Sequence, residues 1–290
     1  MGTEMLSFVV SPVDLFFIAV TLAGSEVFLT AVVLAVYWCN DRVAGLRLGV
    51  VFLLSMWLNS VLKLVFKLPR PAPHSGGAGA ARPYVVLGAE GYGFPSGHTQ
   101  GTATLWWMLA GLFRRRFMAA AAAVATVLVG ASRMYLGVHY LEDVVGGGAL
   151  GIAVAIAAVA SFRWLDRSGR RVTRPVLVIA ALVLPALMLT GPVDESVMKS
   201  SGFFLGFALG GAVEPALCGF RRPAGLRTQA ARVALGLGCV LAVGGIIELV
   251  APATPSWVWL RYATTGLSAT LLVPWVFVLV GLAAPEGAAS

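Results

Sequence analysis

The stretch SRMYLGVHYLEDVVGGGALGIAVAIAAVASF, residues 132–162, decides how this chain folds. Its second part, Val144–Phe162, carries no charge and is about as long as the roughly 20 residues a helix needs to cross a bilayer. Its first part sets Arg133, His139 and Asp143 directly against that apolar run. Pro175–Val193 and Tyr262–Pro285 are charge-free runs of the same kind. Over 290 residues the chain is 59% hydrophobic and 12% charged, where a soluble domain carries roughly 25% charged residues. The runs are continuously apolar and do not alternate with period two. The expected fold is therefore all-α, a polytopic transmembrane helical bundle, and the pattern argues against a β-barrel.

About nine spans are expected, near residues 25–40, 46–67, 98–113, 117–136, 142–163, 175–191, 200–219, 230–250 and 257–282. Of the 21 basic residues, 14 fall in four short stretches: Arg42 and Arg47; Arg114 to Arg116; five arginines from Arg163 to Arg174; and Arg221, Arg222, Arg227 and Arg232. Those stretches come at alternate span ends, so the positive-inside rule puts them in the cytoplasm. The net charge of +8 is thus an orientation signal and not a nucleic-acid surface. Residues 68–97, 137–141, 192–199 and 251–256 are then extracytoplasmic. Residues 5–22 are apolar but hold Pro12 and Asp14, and read as an interfacial or re-entrant helix on the outer face.

Other features carry less. Cys39, Cys218 and Cys239 lack any disulfide or metal spacing. The N-terminus shows neither a cleavable signal pattern nor a myristoylation signal. Glu214 and Glu248 sit near span ends, where a neighbouring arginine or a headgroup can meet them. Gly147 and Gly151, and Gly202, Gly206 and Gly210, are small-residue faces suited to close packing inside the bundle. Trp257, Trp259 and Tyr262 mark an interfacial belt.

Three strings fall on the outer face: KLVFKLPRP (63–71), PSGH (95–98) and SRMYLGVHYLED (132–143). They contain two of the three histidines in the chain. A phosphate monoester brings close to two charges and three nonbridging oxygens, so it needs cations and donors around it. Lys63, Arg70 and Arg133 provide the cations, the arginines as planar forks. PSGH opens a helix, whose first-turn amides suit an anion. Ser96 and Gly97 are thus phosphate-binding candidates, with His98 beside them. His139 and Asp143 are four apart, on one face of a helix expected to start near 139. The carboxylate would hold Nδ1 and leave Nε2 free to attack phosphorus. His98 would protonate the leaving oxygen and then activate water. No metal and no cofactor are required. The Pro/Gly-rich stretch 69–97 reads as a mobile loop beside the site, and His74 as a solvated residue within it.

These strings resemble the three-part signature of the type-2 phosphatidic acid phosphatase (PAP2) superfamily: Lys-x6-Arg-Pro, Pro-Ser-Gly-His and Ser-Arg-x5-His-x3-Asp. Every defined position is matched, at Lys63, Arg70, Pro71, Pro95 to His98, Ser132, Arg133, His139 and Asp143. The resemblance implies a helical bundle, a phosphohistidine at His139, His98 as acid, and no metal. It divides the chain into an N-terminal segment (1–24), a PAP2-like catalytic core (25–165) and additional transmembrane helices (166–290). The substrate class it implies is a lipid phosphate or diphosphate, undecaprenyl diphosphate among them, within membrane lipids. Phosphotransfer through the same phosphohistidine, and non-catalytic lipid-phosphate binding or transport, stay open as alternatives.

Overall fold

Helix starts follow from short polar residues placed before apolar runs. Ser11 caps α1 (Pro12–Ala23) in a capping box with Asp14, and Ser25 caps α2 (Glu26–Ala35) through the amide of Phe28. Asp41 caps α3 (Arg42–Phe66) by accepting from Ala44 N–H at 2.8 Å. α3 stops where Lys67 turns left-handed (φ 51°) ahead of Pro69 and Pro71, neither of which can extend a helix. The chain continues through α4 (Gly97–Phe113), α5 (Arg116–Tyr135), α6 (Leu141–Arg167), α7 (Arg174–Met188), α8 (Glu195–Leu217), α9 (Leu226–Val250), α10 (Pro255–Leu267) and α11 (Val273–Leu279). The computed structural model describes residues 11–71, 91–169, 172–220, 225–252 and 254–284. Outside them lie the centre of the Pro/Gly-rich stretch with His74, residues 5–10, and Arg170, Arg171, Arg221 and Arg222.

The protein is all-helical and multi-pass. Among the described residues six helices are long and apolar enough to span a bilayer: α3, α5, α6, α8, α9 and the α10–α11 pair. α1 and α2 pass that test only together, bent by 53° at Gly24-Ser25, which makes up to seven. Each of the nine expected spans has a helix at its place, yet α4 and α7, with 17 and 15 residues, fall short of full length. At about 1.5 Å per residue, α4 reaches only about 25 Å. It is also more polar than the helices long and apolar enough to span. Gln100, Thr99, Thr102 and Thr104 are buried among protein, not presented to lipid.

Polar groups buried in a bundle need partners within it. Gln100 Nε2 donates to Ser55 O at 2.7 Å, Asn59 Nδ2 donates to Gln100 Oε1 at 2.8 Å, and Ser55 and Thr104 share a bond of 2.8 Å. These bonds tie α3 to α4. α6 lies even closer: a Cβ at Gly147 would stand 2.5 Å from Ser96 O, and one at Gly151 2.5 Å from Gln100 O. The glycine faces therefore pack inside the chain. Gly202 and Gly206 do the same for α8, against Trp259 O and Ala263 O of α10.

Arg232 departs from its expected place in a cytoplasmic loop. It is fully buried, donating from Nη1 to Trp38 O at 3.0 Å and from Nη2 to Leu282 O at 2.8 Å, over the rings of Phe220 and Phe277. It ties α9 to the wide helical turn Val36–Asn40 that follows α2, and to the chain beyond α11. Glu214 and Glu248 are structural: Glu214 meets Arg42 at 3.0 Å and Glu248 meets Arg261 at 2.8 Å. At the same end of the bundle as Arg42, Arg47 pairs with Asp166 at 2.6 Å and Arg163 Nη2 donates to Gly111 O at 2.9 Å. The basic ends of α3, α4 and α6 thus gather together, and the three strings gather at the opposite end.

Candidate active site

The third string supplies the framework. α5 ends at Tyr135, Gly137 takes a left-handed turn (φ 70°), and α6 begins only at Leu141. His139 therefore precedes the helix and does not share a helical face with Asp143 as expected. Asp143 instead stands in the first turn of α6 and reaches back. Its Oδ2 accepts from Tyr140 N–H at 3.0 Å and from His139 Nδ1 at 3.1 Å. One carboxylate oxygen thus caps the helix and orients the imidazole. His139 is 4% exposed and Asp143 1%.

The second string is pinned to the third. Ser96 N–H donates to Asp143 O at 2.9 Å, and the close approach of Gly147 keeps α6 against this bond. Ser96 is the N-cap residue of α4, but its hydroxyl makes no cap bond; it accepts from Thr99 Oγ1 at 3.1 Å. The first intrahelical bond is Gln100 N–H to Ser96 O, so the amides of Gly97, His98 and Thr99 come before the ladder begins. Asn59, one turn before Lys63 on α3, donates from Nδ2 to Pro95 O at 3.1 Å and fixes this start. Gly93 is pressed against the same carboxylate: a Cβ there would lie 3.0 Å from Asp143 Oδ2.

The first string closes the site. Arg70 donates from Nη1 to Val138 O at 3.2 Å and from Nε to Gly91 O at 3.2 Å, and Nη1 also lies 3.1 Å from His139 Nε2. An arginine only donates. His139 Nε2 is therefore the acceptor here, and Nδ1 carries the proton given to Asp143. Nε2 is thus covered by Arg70, where it was expected to stand free. Burial, followed by Arg70, Arg133, Lys63 and His98, lowers the His139 pKa from 6.5 to about 2. Both effects oppose the charged form, so the ring is neutral near pH 7. The same interactions place Lys63, Arg70, Arg133 and His98 within electrostatic reach of one ring. All eight expected site residues meet at one end of the bundle.

Arg133 is 4% exposed; its Nη1 donates to Thr21 Oγ1 at 2.7 Å, and its Nε is buried with no hydrogen-bond partner among the described residues. A buried guanidinium N–H without an acceptor fits a donor kept for an anionic ligand. Asn59, Gly93 and Thr21 were not singled out from the sequence. Only Asn59 carried a signal there, an amide one turn from Lys63 in an apolar helix.

Comparison with known proteins meets this geometry. Residues 44–167 match the PAP2 superfamily, and residues 198–285 match the PAP2 superfamily phosphatase, transmembrane extension. The chain carries a PAP2 superfamily domain followed by the PAP2 transmembrane extension. It is 33% identical over 119 residues to phosphatidylglycerophosphatase B of Bacillus subtilis, covering 37% of this chain and 53% of that protein. It is 36% identical over 90 residues to lipid A 4'-phosphatase of Porphyromonas gingivalis, covering 29% and 38% respectively. With human sphingosine-1-phosphate phosphatase 2 it shares 27% over 172 residues, covering 56% and 40%. The chain spans about half the length of the first of these relatives and less of the other two. No solved structure gives a significant match. The PAP2 match ends with α6, so the extension accounts for most of α8 to α11.

Proposed function

We propose that this PAP2 protein is a membrane phosphatase that hydrolyses a lipid phosphate or diphosphate without a metal, through a phosphohistidine at His139. The observation that carries this reading is the chain Asp143 Oδ2, His139 Nδ1, His139 Nε2, Arg70 Nη1, with both links at 3.1 Å. Anion binding alone needs cations; it does not need an imidazole oriented by a carboxylate. That difference disfavours a pure binding or transport role.

A phosphate oxygen arriving between Arg70 and His139 takes over the Arg70 donor and uncovers Nε2. Nε2 attacks phosphorus in line, the P–N bond forms and the bond to the leaving oxygen breaks. His98, which takes up a proton as the anionic phosphate enters among the surrounding cations, gives that proton to the leaving oxygen and becomes neutral. Water then attacks phosphorus, His98 takes its proton, and the P–N bond breaks to return neutral His139. Arg70, Arg133, Lys63 and the first-turn amides of α4 bind the equatorial oxygens in both steps, where charge develops. Asp143 stabilises the ring as it becomes positive.

Phosphatidylglycerophosphatase B, lipid A 4'-phosphatase and sphingosine-1-phosphate phosphatase 2 are each named for a phosphorylated lipid, which supports a lipid substrate. A site among helix ends suits a headgroup whose tails stay in the bilayer. The basic stretches at the opposite end support an extracytoplasmic site in the cell membrane. The test is phosphate release by the detergent-purified protein from phosphatidate, phosphatidylglycerophosphate, undecaprenyl diphosphate and a soluble ester. Release from the lipids that His139→Ala abolishes supports the reading; equal release from the parent and His139→Ala overturns it.

A further inference from the structure

The family match begins at residue 44, so α1 lies outside it. α1 is nevertheless built against the site. Asp14, 1% exposed, accepts from Tyr135 Oη at 2.9 Å. Phe17 stacks on the Tyr135 ring with centroids 4.1 Å apart, and Ile18 packs on Leu136 and Val138. Thr21 accepts from Arg133, and a Cβ at Gly24 would stand 2.6 Å from Val129. Positions 14, 17, 18, 21 and 24 form one helical face. Their contacts move back along the chain from Tyr135 through Arg133 to Val129, so α1 lies antiparallel against the end of α5 that carries Arg133.

A guanidinium has two edges. Thr21 Oγ1 holds Nη1 at 2.7 Å. The neighbouring edge comprises Nε and Nη2, and its Nε–H is buried without a partner among the described residues. Such a donor is costly to keep buried until an acceptor reaches it. Two oxygens of one phosphate fit that edge side-on. We propose that Thr21 is a positioning residue of this enzyme: it anchors Nη1 of Arg133 so that the Nε–Nη2 edge meets the substrate phosphate. α1 is then a brace for the catalytic centre as well as a membrane element. The inference rests on the phosphatase reading.

The test uses the full-length protein in detergent. Thr21→Val removes the hydroxyl at nearly constant shape, and Thr21→Ser keeps it. Steady-state kinetics and inhibition by orthovanadate are measured alongside thermal unfolding. Thr21→Val is expected to lower kcat/KM and vanadate affinity about 10-fold, roughly the worth of one charge-assisted hydrogen bond. Thr21→Ser is expected to stay within about 2-fold of the parent, and in an Arg133→Lys background Thr21→Val should cost less than about 2-fold. The proposal is overturned if Thr21→Val equals the parent, if Thr21→Ser loses as much, or if the full loss persists with Arg133→Lys. Should Thr21→Val not fold, Thr21→Ala removes the same hydroxyl and the same comparisons decide. A parent that binds vanadate but releases no phosphate from any ester defeats the phosphatase reading alone; vanadate affinity then still tests Thr21.

Discussion

Arg70 Nη1 and His139 Nε2 are 3.1 Å apart, so the guanidinium covers the atom that the proposed chemistry requires as nucleophile. The same Nη1 is anchored to Val138 O at 3.2 Å, on the residue next to the histidine. Arg70 thus shields Nε2 and stands ready to accompany the phosphate that displaces it.

Removing this cover has opposite effects on two measurements. Arg70→Ala is expected to lower kcat/KM by about 10²–10³-fold, as loss of a donor to developing charge does. Without substrate, however, diethyl pyrocarbonate should acylate His139 several-fold faster in Arg70→Ala than in the parent, read by peptide mass spectrometry. Unchanged acylation would mean that the contact does not shield the ring.

Asp143 serves the ring and the helix through one oxygen, at 3.1 Å and 3.0 Å. Asp143→Asn keeps an acceptor for Tyr140 N–H, so thermal stability should fall by no more than about 1 kcal/mol. It cannot support a positive imidazole, so kcat should drop about 10²–10⁴-fold with KM nearly unchanged. A loss confined to KM would assign Asp143 to binding instead.

His139 links pH to stability. Its pKa in the folded protein is about 2, against an ordinary 6.5, because burial and the surrounding cations oppose its charge. Between those values the unfolded chain binds more protons than the folded one, so stability rises with pH across the window. The contribution is complete above the ordinary pKa and shrinks as the medium turns acidic. Thermal midpoints taken from about pH 7.5 down to about pH 4 should therefore fall more steeply for the parent than for His139→Gln. Parallel profiles would contradict the assignment.

The intramembrane carboxylates differ in what they hold. The Glu214 side chain is 0% exposed and paired with Arg42, whereas that of Glu248 is 69% exposed and paired with Arg261. Arg42→Ala takes a cation from a fully buried carboxylate and should cost more than about 1 kcal/mol, relieved in part by adding Glu214→Gln. Arg261→Ala should cost less than about 1 kcal/mol. Thermal unfolding in detergent distinguishes the two.

The helical bundle and the clustering of the candidate site residues were legible because both leave local marks. Charge-free runs such as Val144–Phe162 mark spans, and cations beside histidines stand out in a chain with so few charges. What escaped is set by contacts between distant positions. Arg232 reads as a loop arginine until Trp38 O and Leu282 O are seen to enclose it. α4 reads as a full span, although its length and buried Gln100 and Thr104 make it an internal strut. α6 starts two residues later than the spacing of His139 and Asp143 suggests, because that spacing also suits an acid in the first turn reaching back to a preceding ring. α1 carries no mark of its partner; Thr21 and Arg133 are 112 positions apart.

The covalent intermediate is the most direct test. His98→Asn lacks the group proposed to activate water, and p-nitrophenyl phosphate has a leaving group that departs without protonation. Brief incubation of that variant with the ester should therefore accumulate one acid-labile phosphate per protein, located by mass spectrometry on the peptide containing His139. A parent enzyme that turns over while neither it nor His98→Asn ever carries phosphate on His139 would contradict the account.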